Sequence, residues 1–154
     1  SAFESFFSRV FQILIKYDNN AIEKKVSYKP KVSLQDVIKI EKEECTVEEL
    51  ISNNYSFQNI EQINNAYKDW LDIDIKKILS EKKRIRGRVQ YLLVWIEEII
   101  KLRHGVVHHF KVDRSLTEKQ LLSIISAMEY IFNLIIKEIE CKYSIKIEKI
   151  STIG

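Results

Sequence analysis

The chain has 154 residues, of which 45% are hydrophobic and 31% are charged, and its formal net charge at pH 7 is +3. This length suits one domain with an ample hydrophobic core. The net charge is too small to identify a nucleic-acid-binding protein from composition, so only local clusters of charge can indicate one. The longest apolar segment is interrupted by Gln90, Glu97, Glu98 and Lys101, which argues against a membrane span.

Proline and glycine are scarce, with one and three residues, whereas isoleucine, lysine and glutamate are abundant. This mixture predicts an all-α helical bundle. Cys45 and Cys141 have no metal-ligand spacing and fit a reducing compartment, which predicts a cytoplasmic protein. The chain begins without methionine, which indicates a piece of a longer protein.

Apolar residues at three- and four-residue spacing predict a first helix over residues 2–17. Residues 21–33 are ambiguous around Pro30 and suit either an ordered loop or a short edge strand. A small strand pair formed by 26–34 and the alternating C-terminal tail is therefore one option for the fold. Ser33, followed three residues later by an aspartate, opens a candidate short helix.

Thr46, with Glu49 three residues later, forms a capping box that starts another short helix. Helical periodicity over 57–71 predicts the next helix, and 72–80 suit a further short helical piece. A long helix is expected over about 85–109. Thr117 begins a second capping box before a strongly apolar helix, and these two long helices should pack antiparallel across a connection of about 110–116.

The segment Arg103-His104-Gly105-Val106-Val107-His108 ends the first long helix. Arginine is a permanent cation whose planar fork fits phosphate, and histidine exchanges protons near neutral pH. Arg103 falls on the apolar stripe of the helix, where a charge needs a partner or a ligand. In a straight helix, His108 lies about 140° around the axis from Arg103. One copy of the pair is therefore a poor site, whereas two copies facing each other across a twofold axis would make a better one.

This arrangement resembles the HEPN superfamily, whose motif is Arg-x4–6-His, often with a polar residue directly after the arginine. The similarity covers roughly 57–142, including the helix from Ile60 to Asp74, and residues 1–55 are an N-terminal helical extension that it does not explain. Together with the length of the chain, the resemblance predicts a single HEPN-like domain over 1–154, with 57–142 as its best-supported core, in a bacterial toxin or antiviral defence protein. It also implies a homodimer whose motifs form a metal-independent endoribonuclease site without a cofactor, with an antitoxin or further domains as other partners.

The resemblance assigns Arg103, His104 and His108 as catalytic residues. His108 would transfer protons, Arg103 would neutralise charge on the phosphoryl oxygens, and His104 would orient the phosphate or the attacking group. Attack by an RNA 2′-hydroxyl would leave a 2′,3′-cyclic phosphate and a 5′-hydroxyl. Phe110 occupies the position where some HEPN toxins carry a tyrosine that an antitoxin modifies, so that form of control is not expected.

Several alternatives stay open. His109 also fits the motif spacing, so either His108 or His109 is the catalytic histidine, with His108 favoured by the helical wheel. A break of the helix at Gly105 would redirect both histidines. A cationic arginine and histidine would also suit a helix C-terminus without any catalysis. His104 and His108 have a spacing that zinc sites use, but no third ligand accompanies them. The competing function is a non-catalytic dimerisation, RNA-binding or partner-binding module.

The only dense basic run extends from Lys82 to Arg88. Such a run either tracks an RNA backbone or forms a solvated face. The residues predicted to contact RNA are Lys82, Lys83, Arg84, Arg86, Arg88 and His109.

Overall fold

A computed structural model describes residues 2–109 and 117–147, and for 105–109 it describes the backbone alone. Within these ranges the chain forms eight helices and one two-stranded antiparallel sheet, so the predicted all-α helical bundle is confirmed, with one small sheet in addition. The chain divides into two compact units, Ser1–Lys76 and Lys77–Gly154. The segment 57–142, predicted to be the core of one domain, includes residues of both units.

The first unit is built around its N-terminal helix. Its helices are α1 (Ala2–Tyr17), α2 (Asn19–Val26), α3 (Leu34–Glu41), α4 (Val47–Ser52) and α5 (Ile60–Leu71), while the short α6 (Ile75–Ile78) crosses the unit boundary. The helix α1 packs against α2, α4 and α5. Side-chain oxygens start four of the helices by accepting a backbone N–H, namely those of Asp18, Ser33, Thr46 and Asn59. Each such cap satisfies a donor that the helix itself leaves unpaired.

The core of the first unit is aromatic. Phe3, Phe7, Phe11 and Ile15 recur every four residues and are fully or almost fully buried, so one face of α1 supplies the core. The hydroxyl of the buried Tyr67 donates a hydrogen bond of 2.8 Å to the carbonyl of Phe7. This bond satisfies the polar tip of an otherwise apolar side chain and links α5 to α1.

The second unit begins with a β-hairpin and continues into two long helices. Its strands β1 (Lys82–Ile85) and β2 (Arg88–Tyr91) pair antiparallel, and they precede α7 (Leu92–His109) and α8 (Glu118–Tyr143). The turn residues Arg86 and Gly87 both have positive φ angles, 48° and 82°. Two positive φ angles in a two-residue loop match the type I′ turn, whose twist suits a β-hairpin.

The two long helices bury complementary stripes. Among the side chains of α7 that the structure describes, 92–104, the buried ones are Leu92, Trp95, Ile96 and Ile99, and α7 contacts both α8 and β2. The apolar residues that α8 buries are Ile124, Ala127, Ile131, Ile135 and Ile139. The predicted capping box at Thr117 is present, with its side chain and that of Gln120 each accepting the other's backbone N–H.

Two local predictions are wrong. No strand forms over 26–34, because Val26 ends α2 and Ser33 caps α3. In the C-terminal tail, Ser144 caps α8 in a left-handed conformation and 145–147 carry no strand; residues 148–154 lie outside the described part. The strands lie instead at 82–91, so the long helix begins at Leu92 and not near residue 85.

Candidate functional site

The predicted catalytic segment lies on a continuous helix. The backbone of α7 is helical from Leu92 to His109, so Gly105 does not end it. Arg103 follows the buried Ile96 and Ile99 by seven and four residues and therefore shares their face. Its side chain is half-buried, with the Nε and Nη1 atoms shielded from solvent. The next residue in sequence, His104, is exposed, so solvent can reach its imidazole.

The two remaining histidines belong to the last turn of the same helix. His108 and His109 have helical backbone, but their side chains lie outside the described part of the chain. Because the helix is unbroken, positions 103 and 108 keep the separation of about 140° that an α-helix imposes. One copy of α7 does not bring these two positions to the same face. Their meeting across a twofold axis stays a prediction.

The basic run forms the hairpin, and its cations fall into two groups. Three of them are engaged within the second unit. The Lys83 Nζ atom lies 4.8 Å from the ring centroid of Tyr130, and the Arg86 Nε–H donates to Ser126 Oγ at 2.9 Å. Arg88 forms an ion pair with Glu98 and stacks over Trp95. These contacts hold the hairpin to α7 and α8, which is a structural role for residues predicted to bind RNA.

The other two cations lie on the opposite side of the hairpin. In the pairing register, Lys82 faces Tyr91 and Arg84 faces Val89. Cross-strand partners share one side of a sheet, so these four residues form one surface, here called the outer face. All four are exposed, Val89 by 53% and Tyr91 by 48%. Ile85, on the other side, is buried.

Tyr91 and Val89 are the residues of this surface that sequence reasoning missed. A helix over about 85–109, as the sequence predicts, includes both residues and conceals the alternation of a strand. The signal that would have found the outer face is Gly87 between two four-residue segments, Lys-Lys-Arg-Ile and Arg-Val-Gln-Tyr. Glycine favours the positive φ of a tight hairpin turn, and alternate residues then share a side.

Formal charge is distributed unequally between the units. Residues 77–154 contain 15 lysines and arginines against 9 aspartates and glutamates, a formal charge of +6. Residues 1–76 contain 10 lysines and arginines against 13 aspartates and glutamates, a formal charge of −3. The unit that carries the motif and the hairpin is therefore electropositive, which favours anionic ligands.

A polar cleft of the first unit offers less for this chemistry. It has a volume of about 390 Å³ and is lined by α1, the end of α4 and the segment after α4, including Glu4, Gln12, Ser52 and Tyr55. Gln12 donates to Ser52 Oγ at 2.9 Å. Burial and the nearby Asp69 carboxylate raise the pKa of Tyr55 to about 12. The Tyr55 hydroxyl donates a hydrogen bond of 3.1 Å to the Asp69 carboxylate and stays protonated at neutral pH, so it does not serve as a proton acceptor there.

Among the residues that the structure describes, no group of three or more histidine, cysteine, aspartate or glutamate side chains has a geometry that would hold a metal ion. None of the described helices has the length and hydropathy needed to cross a bilayer. Both cysteines are free thiols.

The candidate functional site of the chain therefore comprises the residues around Arg103 and the hairpin. No protein-family model, curated protein or solved structure matches the chain at a significant level.

Proposed function

We propose that this chain is a metal-independent endoribonuclease of the HEPN type, acting as a homodimer. The observation that carries the proposal is the position of Arg103, half-buried on the inward face of α7 beside the exposed His104. A guanidinium shielded from water interacts more strongly with a phosphate than one in bulk solvent, because the local dielectric constant is lower. Two further histidines follow on the same unbroken helix.

The reaction needs one proton removed and one supplied. His108 of one protomer takes the proton from an RNA 2′-hydroxyl, and the 2′-oxygen forms a bond to the neighbouring phosphorus. The bond from phosphorus to the 5′-oxygen breaks, and that oxygen receives a proton from the histidine of the second protomer. Arg103 stabilises the charge on the non-bridging oxygens, and His104 orients the phosphate. The products are a 2′,3′-cyclic phosphate and a 5′-hydroxyl.

The dimer is part of the proposal because of helix geometry. Positions 103 and 108 lie about 140° apart around α7, so one helix cannot present both to one phosphate. An isologous interface places each motif against its copy and supplies a second histidine to the same phosphate. Lys82 and Arg84 of the hairpin, together with His109, would supply contacts to the RNA backbone, since Lys83, Arg86 and Arg88 are engaged within the second unit.

The cellular setting follows from the same resemblance. The proposed role is in bacterial defence or a toxin system, in the cytoplasm, with an antitoxin or other domains of a longer protein as partners. Two free cysteines are compatible with a reducing compartment.

The decisive experiment is cleavage of an end-labelled RNA of mixed sequence in EDTA. Wild-type protein should generate 2′,3′-cyclic phosphate ends, and Arg103→Ala and His108→Ala should each remove this activity. Lys101→Ala, at an exposed position of the same helix, is the matched control and should cleave like the wild type.

Circular dichroism and light scattering on all four proteins separate catalysis from folding and assembly. A folded, dimeric wild-type protein that cuts no RNA would favour the non-catalytic module instead. Cleavage at the wild-type rate by either motif variant would remove that residue from the catalytic assignment.

A further inference from the structure

We infer that the outer face of the hairpin binds single-stranded RNA, with phosphates on Lys82 and Arg84 and an unpaired base stacked on Tyr91. This inference rests on the proposed function for the identity of the nucleic acid. It adds a substrate class, unpaired RNA, and it separates two RNA-contacting cations from three that hold the hairpin in place.

Two of the five hairpin cations are available to bind a phosphate. Lys83, Arg86 and Arg88 already contact Tyr130, Ser126 and Glu98. Within the described residues, the guanidinium of Arg84 makes no hydrogen bond or ion pair, and Lys82 contacts only the Tyr91 ring. Binding a phosphate through Lys82 and Arg84 therefore breaks no ion pair among the described residues of the second unit.

The charge of the outer face is complementary to that of an RNA backbone. Lys82 and Arg84 are alternate residues of β1, about 6.8 Å apart along an antiparallel strand. No carboxylate belongs to the outer face, whose other members are Val89 and Tyr91. The unit as a whole carries a formal charge of +6. A polyanion laid along the strand thus meets two cations in succession without a repelling charge on the same surface.

The exposed ring of Tyr91 provides a surface on which a base can stack. Tyr91 is 48% exposed, and the Lys82 Nζ atom lies 4.9 Å from its ring centroid. A stacked base interacts with such a ring more strongly than an exposed ammonium group does. A base can therefore displace Lys82 from the ring, and the displaced ammonium group is then beside the backbone of the same nucleotide.

The ring also explains the preference for unpaired RNA. In a duplex, both faces of each internal base are covered by neighbouring bases, so Tyr91 has nothing to stack on. Single strands present their bases to aromatic side chains, which is the usual mode of recognition for unpaired RNA. Contacts from Lys82 and Arg84 alone would not distinguish the two forms.

The test measures binding by fluorescence anisotropy with a labelled 2′-O-methyl RNA of 16 nucleotides and mixed sequence, alone or annealed to its complement. This probe has no 2′-hydroxyl, so it stays intact whether or not the protein is a nuclease. The single strand should bind more tightly than the duplex. Tyr91→Leu should weaken single-strand binding by about 5- to 150-fold, whereas Tyr91→Phe should keep the affinity.

The contribution of Lys82 and Arg84 to RNA affinity is measured from the dependence of that affinity on salt concentration. Lys82→Gln with Arg84→Gln should reduce the slope of log affinity against log salt by about 1.4, since each phosphate contact on a single strand contributes about 0.7. Lys31→Gln with Lys39→Gln removes the same charge from exposed sites of the first unit and should leave the slope unchanged. Circular dichroism confirms folding of each variant.

Equal affinity for both forms of the probe, or an unchanged affinity in Tyr91→Leu, would overturn the inference. So would equal slopes for the two double variants. These outcomes are independent of the nuclease proposal, because the cleavage assay in EDTA uses a different substrate and different variants. Tight single-strand binding without any cleavage would support this inference and reject the nuclease.

Discussion

The guanidinium of Arg88, in β2, forms a two-point ion pair with the carboxylate of Glu98, in α7. Its Nη1 atom donates to one carboxylate oxygen at 3.2 Å, and its Nη2 atom donates to the other. The same guanidinium lies 4.9 Å from the ring centroid of the buried Trp95. The fork geometry of arginine suits both contacts at once. Arg88 therefore fastens the hairpin to the helix that carries Arg103.

A double-mutant cycle on this pair should reveal a favourable coupling. Arg88→Ala, Glu98→Ala and the double variant should give a coupling free energy of about 0.2–1 kcal/mol, in the range of solvent-accessible pairs, because half of the Arg88 side chain is exposed. Urea denaturation measures the four free energies of unfolding. Arg88→Lys, which keeps the charge but not the fork, should lose most of the coupling while keeping RNA affinity. No coupling at all would leave Arg88 available for RNA.

The choice between the two terminal histidines is testable by single substitution. His108→Ala should lower the cleavage rate by about 10²- to 10⁴-fold, the range for loss of a general acid or base. His109→Ala should affect RNA affinity more than the rate of cleavage. Single-turnover cleavage at saturating protein separates the two effects. If His109→Ala shows the larger loss in rate, the proton-transferring residue is His109 and not His108.

Gly87 should stabilise the hairpin because of its positive φ angle and not because a side chain would collide with neighbouring atoms. Its φ angle is 82°, and a Cβ atom added there would meet nothing within 4 Å. Gly87→Ala should therefore cost about 1–2 kcal/mol of stability through the left-handed backbone, a fall in melting temperature of roughly 2–8 °C. Gly87→Asn should cost less, since asparagine tolerates this conformation. Thermal denaturation checks both variants, and an equal or greater loss for asparagine would contradict the explanation.

Stability of the first unit should fall at alkaline pH. Burial raises the pKa of Tyr67 well above its usual value, and burial together with the Asp69 carboxylate raises the pKa of Tyr55 to about 12. An unfolded tyrosine loses its proton near pH 10. Between about pH 10 and 12 the unfolded chain therefore binds fewer protons than the folded one, and the free energy of unfolding decreases as pH rises.

Chemical denaturation at intervals from pH 7 to 12 measures this dependence. Tyr55→Phe removes one of the two titrating groups, so its free energy of unfolding should decline less steeply above pH 10. It should match the wild type in slope near pH 7, where both tyrosines are protonated. A wild-type stability that is constant or increasing between pH 10 and 12 would contradict the assignment.

Local signals in the sequence predicted most of the helices. The capping residues Ser33, Thr46 and Thr117 begin helices where expected, because a cap depends on residues within one turn. The helix α2 is not predicted, because it follows α1 directly and its cap, Asp18, lies immediately after the last residue of α1. The hairpin is not predicted, because the apolar residues between 85 and 96 fit both the 3.6-residue period of a helix and the two-residue period of a strand over so short a stretch.

Short-range patterns in the sequence predict the helical class, the capped starts of the helices and the position of Arg103 on an apolar stripe, since all of these depend on neighbours within a few residues. The division of the basic run into two groups follows instead from tertiary contacts. Lys83 and Arg86 are engaged by Tyr130 and Ser126 of α8, whereas Lys82 and Arg84 remain on the outer face with Tyr91. The contacts to α8 join residues 40 or more positions apart, so no local pattern encodes which cations remain available to a ligand.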